Sequence, residues 1–191
     1  MEIQFTYVIN QNTVAILPEF KYGGAKALII ENYKQFYVSK SPTQIIEASL
    51  LQYGSSLSGA KSSSQHFLGQ IRRHPIMICS KLDIFFYITS SMKNPDAVWI
   101  SGAHTKQIRK MSNKRTQIQF VNGDFIEIDG KYKSVQSYYH RCLELKKIQM
   151  ETIFENQKEK VKEEINHRDK RPCLFFVKDP SSISYTISEV K

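Results

Sequence analysis

The chain has 191 residues, 41% of them hydrophobic and 12% aromatic, which is enough apolar material to bury a core and too much for a disordered polycation. Its 27 Lys and Arg outnumber 18 Asp and Glu, giving a formal charge of +9. No apolar run, Ile84–Ile88 included, is long enough to span a bilayer; Met1 to Phe5 carries no secretory pattern; and Cys79, Cys142 and Cys173 are odd in number and in no CxxC spacing, so reduced thiols in a cytoplasmic protein are expected rather than a disulfide frame or a zinc site.

Residues 5–9 and 14–17 read as strands flanking the turn-forming Asn10-Gln11-Asn12, which predicts a hairpin. Strands at 27–30 and 35–38 follow the Gly23-Gly24 break. Ser41 is placed as the N-cap and Pro42 as the first residue of a short helix, whose Ile45, Ile46, Ser49 and Leu50 repeat at helical spacing until Gly54 closes it. The serine-rich stretch 55–64 reads as a flexible or helix-capping loop. Strand signals return at 75–78, 84–88, 98–100 and 105–109. Segments 116–121 and 124–128 then alternate about Asn122-Gly123, as in a hairpin closed by a type I′ turn. From Ser134 the period becomes helical, with Val135, Tyr138, Tyr139, Cys142, Leu145 and Ile148 on one face; the stripe thins past Phe154 and Pro172 ends the helix. The apolar run 173–177 reads as a final strand or as a docking peptide ahead of a polar tail. The fold class expected is α+β: mainly antiparallel β strands, a short central helix and a long C-terminal helix.

The charge is uneven along this series. Residues 1–53 are balanced, whereas 54–115 hold ten basic residues against Asp83 and Asp96 alone, an excess of about +8. Such asymmetry fits a polyanionic partner, although basic residues spread over unrelated faces would give the same count. An anionic membrane ranks lower, because no stretch pairs a Lys/Arg face with an apolar one at helical spacing. Within the basic third, Pro75 restrains His74 to extended backbone and projects Arg72 and Arg73 from a loop or strand end. Guanidinium groups so placed suit phosphate clamping or a narrow minor groove, and an ordinary solvated loop is the equal alternative. Along 104–110 a regular strand would put His104, Lys106 and Lys110 on one face and Thr105, Gln107 and Arg109 on the other. Both faces are charged, which suits an edge strand. Lys114 and Arg115 add cations where the next hairpin begins.

Catalytic and metal motifs fail on spacing. In Gly54-Ser55-Ser56-Leu57-Ser58-Gly59-Ala60-Lys61-Ser62, Ala60 separates the lysine from the second glycine, so a phosphate-binding loop is not formed; Ser58 stands where a nucleophile elbow about Ser56 needs glycine. The five histidines, His66, His74, His104, His140 and His167, have no paired ligand spacing. No enzymatic activity and no cofactor are expected. An RNA-binding module would need exposed sheet aromatics; Tyr7, Tyr37 and Phe86 are better read as core.

Taken in order, Tyr53-Gly54-Ser55-Ser56, Gly59 with Lys61, Arg73 with Pro75-Ile76-Met77, Trp99-Ile100-Ser101 with His104 and Lys106, and Phe120 with Asn122-Gly123 resemble the ComK family of bacterial competence transcription factors, over about residues 5–145. The resemblance implies a DNA-binding activator of DNA-uptake genes that recognises promoter boxes of A/T runs, mainly through the minor groove, as more than one protomer. It implies Lys61, Arg73, His104 and Lys106 as DNA contacts; Arg72, Arg109, Lys114 and Arg115 join them on charge and neighbourhood. Ala60 replaces the family's usual basic residue and His74 a second proline. The implied partners are double-stranded promoter DNA, further copies of the chain, RNA polymerase and a proteolytic adaptor, without membrane contact and in the nucleoid-associated cytoplasm. Residues 1–155 form the expected ComK-like DNA-binding domain, and 156–191 a charged helix end and tail for oligomerisation or regulation. The alternative is a diverged regulatory or scaffold protein acting through protein contacts.

Overall fold

The structure is a computed structural model that describes residues 3–20, 26–94, 97–168, 174–178 and 185–189. The chain divides into two units, residues 1–150 and residues 151–191. In the first unit a seven-stranded sheet has the order β1-β4-β3-β2-β7-β6-β5. It is built from β1 (Ile3–Gln4), β2 (Thr13–Glu19), β3 (Lys26–Glu31), β4 (Gln35–Val38), β5 (Ile76–Cys79), β6 (Ile84–Ile88) and β7 (Trp99–Ser101). Every pairing is antiparallel except that of β1 with β4. A three-stranded antiparallel sheet of β8 (Thr105–Lys110), β9 (Arg115–Phe120) and β10 (Phe125–Asp129) has β9 at its centre. With α1 (Pro42–Gln52), α2 (Leu57–Leu68) and α3 (Tyr132–Arg168), the class is α+β with a long C-terminal helix, in agreement with the sequence. The second unit carries the hairpin of β11 (Leu174–Lys178) with β12 (Tyr185–Glu189), so the last apolar run is a strand and part of the expected polar tail is its partner.

Period-2 alternation gives the large sheet two buried faces. Ile84, Phe86 and Ile88 of β6, with Trp99, Ile16 and Ile29, pack with Ile45, Ile46 and Leu50 of α1 and Ala60 of α2. Phe85 and Tyr87, with Val14, Ala15 and Ile100, pack against Ile118, Phe120, Ile126 and Ile128 of the small sheet and Val135 and Cys142 of α3. The large sheet is thus the middle layer. Among the described residues no helix is long and apolar enough to cross a membrane.

Helix α1 begins as predicted. Ser41 accepts from Gln44 N at 3.3 Å while Gln44 Oε1 accepts from Ser41 N at 2.9 Å, closing a capping box with Pro42 just inside it. Gly54, past the helix end, has φ +75°.

Four expectations fail, each for a structural reason. Residues 5–9 pair with no strand among the described residues; instead Ile9, at their end, is tied to α1, its N–H donating to Ser49 Oγ at 3.0 Å and its carbonyl accepting from the hydroxyl of Tyr53, just past the helix, at 2.9 Å. The serine-rich stretch is no loop but α2, capped by Ser56 Oγ on Gly59 N at 3.1 Å; its small Ala60 and Ser64 are buried on the core side. The hairpin turn is not type I′. Phe125 pairs with Gln119, and Phe120 N donates to Asp124 O, which leaves a three-residue loop whose glycine alone, Gly123 at φ +97°, is left-handed. Finally, the register of β8 on β9 shifts by one residue between Thr105 and Gln107, so Lys106 is an inserted bulge residue. Thr105 and Ile108 then lie opposite Phe120 and Ile118 on the buried side, while Gln107 and Arg109 face out, and the alternation expected through 104–110 does not hold. Gly23-Gly24 and Pro172 lie outside the described residues.

Candidate nucleic-acid interface

Four cations from three segments line one open groove of about 750 Å³: Lys61 from α2, Arg72 and Arg73 from the loop before β5, and Lys93 from the β6–β7 loop, opposed by Glu47. Leu57, Ile71 and Met92 supply apolar lining. Helical winding makes this possible. Ala60 turns inward at 8% exposure, so the next residue, Lys61, points to solvent. The loop is set by Gly69, left-handed at φ +72°, which caps α2, and by His74 and Pro75, which are buried.

Arg73 is the most constrained of the four. Its own φ is +61°, in the region non-glycine residues seldom enter. The guanidinium lies over the Tyr138 ring at 4.7 Å from its centroid, and Nη1 donates to the Tyr138 hydroxyl. One turn along α3, Arg141 Nη1 donates to Arg72 O at 3.3 Å. Beneath the loop His74 is only 5% exposed, and burial, followed by the nearby charges of Lys61 and Arg141, holds its imidazole below the ordinary value.

The second cationic group is the β8–β9 ribbon. Lys106, Arg109 and Lys110 are exposed on the edge strand β8, Lys114 in the β8–β9 turn and Arg115 at the start of β9. Arg109 Nη2 donates to Gln107 Oε1 at 2.8 Å, and Arg115 is partly neutralised by Glu127 at 3.2 Å. His104 belongs to neither group. It lies at a small depression with Asp83 and Ser101, its Nδ1 2.8 Å from Ser101 Oγ, and burial lowers its pKa. Helix α3 touches both groups: Tyr138 holds Arg73, while Tyr139 OH donates to Thr105 O at 3.1 Å, next to Lys106.

Of the eight residues singled out in the sequence, Lys61, Arg72 and Arg73 come together in the groove, and Lys106, Arg109, Lys114 and Arg115 on the ribbon. Lys93 was visible only as part of the regional excess, and Arg141 and Tyr138 only as helix residues; no local pattern announces that folding carries them to this loop. Among the described residues no group of three or more His, Cys, Asp or Glu gathers as metal ligands would.

The family model described as ComK protein matches residues 4–159. The chain belongs to the ComK family. A relative in Bacillus subtilis (strain 168), the competence transcription factor, is 32% identical over 136 residues, covering 71% of each chain. No solved structure matches. Membership covers both cationic groups and supports a regulator of competence transcription.

Proposed function

We propose that this ComK-family protein is a transcriptional activator of competence genes that binds A/T-run promoter boxes, mainly through the minor groove, as a homo-oligomer in the nucleoid-associated cytoplasm. The observation that carries the reading is the convergence of Lys61, Arg72, Arg73 and Lys93 on one groove in a chain of this family. A/T runs narrow the minor groove and deepen its negative potential, which attracts guanidinium and ammonium groups. The exposed cations of the β8–β9 ribbon supply a second set of contacts, and His104 a contact from its own depression. Residues 1–155 carry DNA binding in this reading, and 156–191 serve oligomerisation or regulation, with RNA polymerase and a proteolytic adaptor as protein partners. The chemistry is binding, not catalysis.

Gel shifts on A/T-run promoter fragments at two salt concentrations test it. Neutralising about six phosphates gives a slope of log affinity against log salt of roughly −5. Replacing the A/T runs with G·C abolishes specific binding, and Arg73→Ala and Lys106→Ala each weaken it. Absence of binding at low salt, or indifference to the G·C replacement, contradicts the proposal.

One observation favours a second reading, a regulator acting through protein contacts: the apolar lining by Leu57, Ile71 and Met92 beneath the cations suits an acidic, partly apolar protein surface. It predicts no promoter preference at all, with partner binding weakened by Arg73→Ala in the groove and unchanged by Lys106→Ala on the ribbon.

A further inference from the structure

Arg73 pays twice for its place in the groove, once in backbone conformation and once in side-chain freedom. At φ +61° it occupies left-handed backbone, which arginine adopts only where the surroundings hold it. A free arginine at a groove rim would also sample many rotamers, and fixing it on DNA would cost binding energy. Neither cost is left for the ligand to meet, because α3 has met them in advance. Tyr138 offers its ring face to the guanidinium, with 4.7 Å from the guanidinium carbon to the ring centroid, and its hydroxyl to Nη1. Arg141, three residues on and so on the same helix face, fixes the carbonyl of Arg72 at 3.3 Å. Tyr138 is itself half-buried and packed on the core beneath the small sheet, so the support is rigid. Of the five N–H donors of a guanidinium, the Tyr138 hydroxyl takes one, which leaves the others for an acceptor.

We propose that Tyr138 is the positioning residue for Arg73: it holds the guanidinium in its DNA-binding pose before DNA arrives. The proposal rests on the DNA-binding reading above and adds to it a residue that touches no DNA. Removing the support leaves the arginine and its charge in place but returns its freedom, so affinity falls by roughly three- to tenfold, the cost of immobilising one long side chain on binding. A phenylalanine keeps the cation–ring contact and loses only the hydrogen bond, and so falls between the two.

The test is a double-mutant cycle in the full-length chain, with affinity for an A/T-run promoter fragment measured for wild type, Tyr138→Ala, Tyr138→Phe, Arg73→Ala and the Arg73→Ala/Tyr138→Ala pair, and thermal melts of each. The expected result is weaker binding in Tyr138→Ala, a smaller loss in Tyr138→Phe, and no further loss when Tyr138→Ala is added to Arg73→Ala. Losses that simply add in the pair overturn the proposal, since Tyr138 would then act through the fold at large. So does a Tyr138→Ala or Tyr138→Phe protein that binds like wild type while Arg73→Ala is weakened. Where wild type binds and neither Arg73→Ala nor Tyr138→Ala is weakened, the positioning role fails while the DNA reading stands; a wild type that binds no DNA removes the reading and the proposal together.

Discussion

Glu31 is a buried carboxylate made tolerable by three donors. Tyr7 OH donates to it at 2.7 Å and Asn10 Nδ2 at 3.1 Å, and Lys34 Nζ stands 3.3 Å away. Burial by itself would raise its pKa, but these partners prevail and hold it below the usual carboxylate value. A depressed carboxyl stabilises the fold above its unfolded value, near 4.5, and that contribution is lost as pH falls further. Glu31→Ala removes the charge-assisted hydrogen bonds from Tyr7 and Asn10, which keep only each other and Thr13 Oγ1 as partners, and is expected to cost about 2 kcal/mol, a fall in Tm of roughly 4–8 °C for a chain of this size. A melt that shifts by less than a degree contradicts that account. His74 has the opposite chemistry with the same pH direction. Buried and beside Lys61 and Arg141, it keeps its neutral form to lower pH in the fold than in the unfolded chain, which takes up the proton as pH drops below about 6.5. Stability contributed by neutral His74 is therefore complete above that pH and declines beneath it. His74→Gln, which cannot titrate, should flatten the fall in Tm between about pH 7 and 5.5; an unchanged pH profile would remove His74 as the cause. His104 shifts in the same direction through burial, so a residual slope is expected.

At the scale of elements, the parts written in local chemistry are the parts the sequence displays. Ser41, Pro42 and Gln44 form a capping box that needs nothing beyond four residues, and α1 begins where they place it. Ser41→Ala should cost about 1 kcal/mol, read as a lower Tm, because the Gln44 N–H loses its acceptor. Gly123 is equally local in effect though misread in kind: its left-handed φ of +97° closes a three-residue loop, and Gly123→Ala should cost about 1 kcal/mol, whereas tolerance of alanine there would contradict the turn geometry. Elements held by distant partners were hidden. Helix α2 has no long apolar stripe, only Ala60 and Ser64 small enough to pack closely, and its helicity follows from that packing. Residues 5–9 read like a strand, but the backbone groups of Ile9 go to Ser49 and Tyr53, some forty residues on. The bulge at Lys106 leaves no trace in a segment where polar residues stand on both faces. The same division runs through the candidate site: Arg72 and Arg73 were legible from local charge and Lys61 through the family resemblance, while Tyr138 and Arg141, which fix the loop, come from a helix more than sixty residues away.

For the whole molecule, folding resolves a regional excess of about +8 into a groove and a ribbon, with α3 in contact with both. The two groups differ in kind. The groove holds the Arg73 guanidinium on Tyr138 beside an apolar lining, whereas Lys106, Lys110 and Lys114 stand exposed on long side chains. Solvated lysines on a sheet edge act chiefly as charge, and charge is read out by the release of counterions. Lys106→Ala with Lys114→Ala should therefore reduce the magnitude of the salt slope by about two and weaken A/T-run and G·C fragments nearly alike. Lys61→Ala with Arg73→Ala removes cations from the structured groove and should, in addition, narrow the gap between A/T-run and G·C fragments, because a preset guanidinium senses groove width as well as charge. The losses from the two pairs should add within about 0.5 kcal/mol where the groups engage DNA independently. Affinities of both double variants and of the quadruple variant on the two fragments, at two salt concentrations, decide the matter. If the ribbon variant loses A/T preference while the groove variant keeps it, the roles of the two groups are reversed.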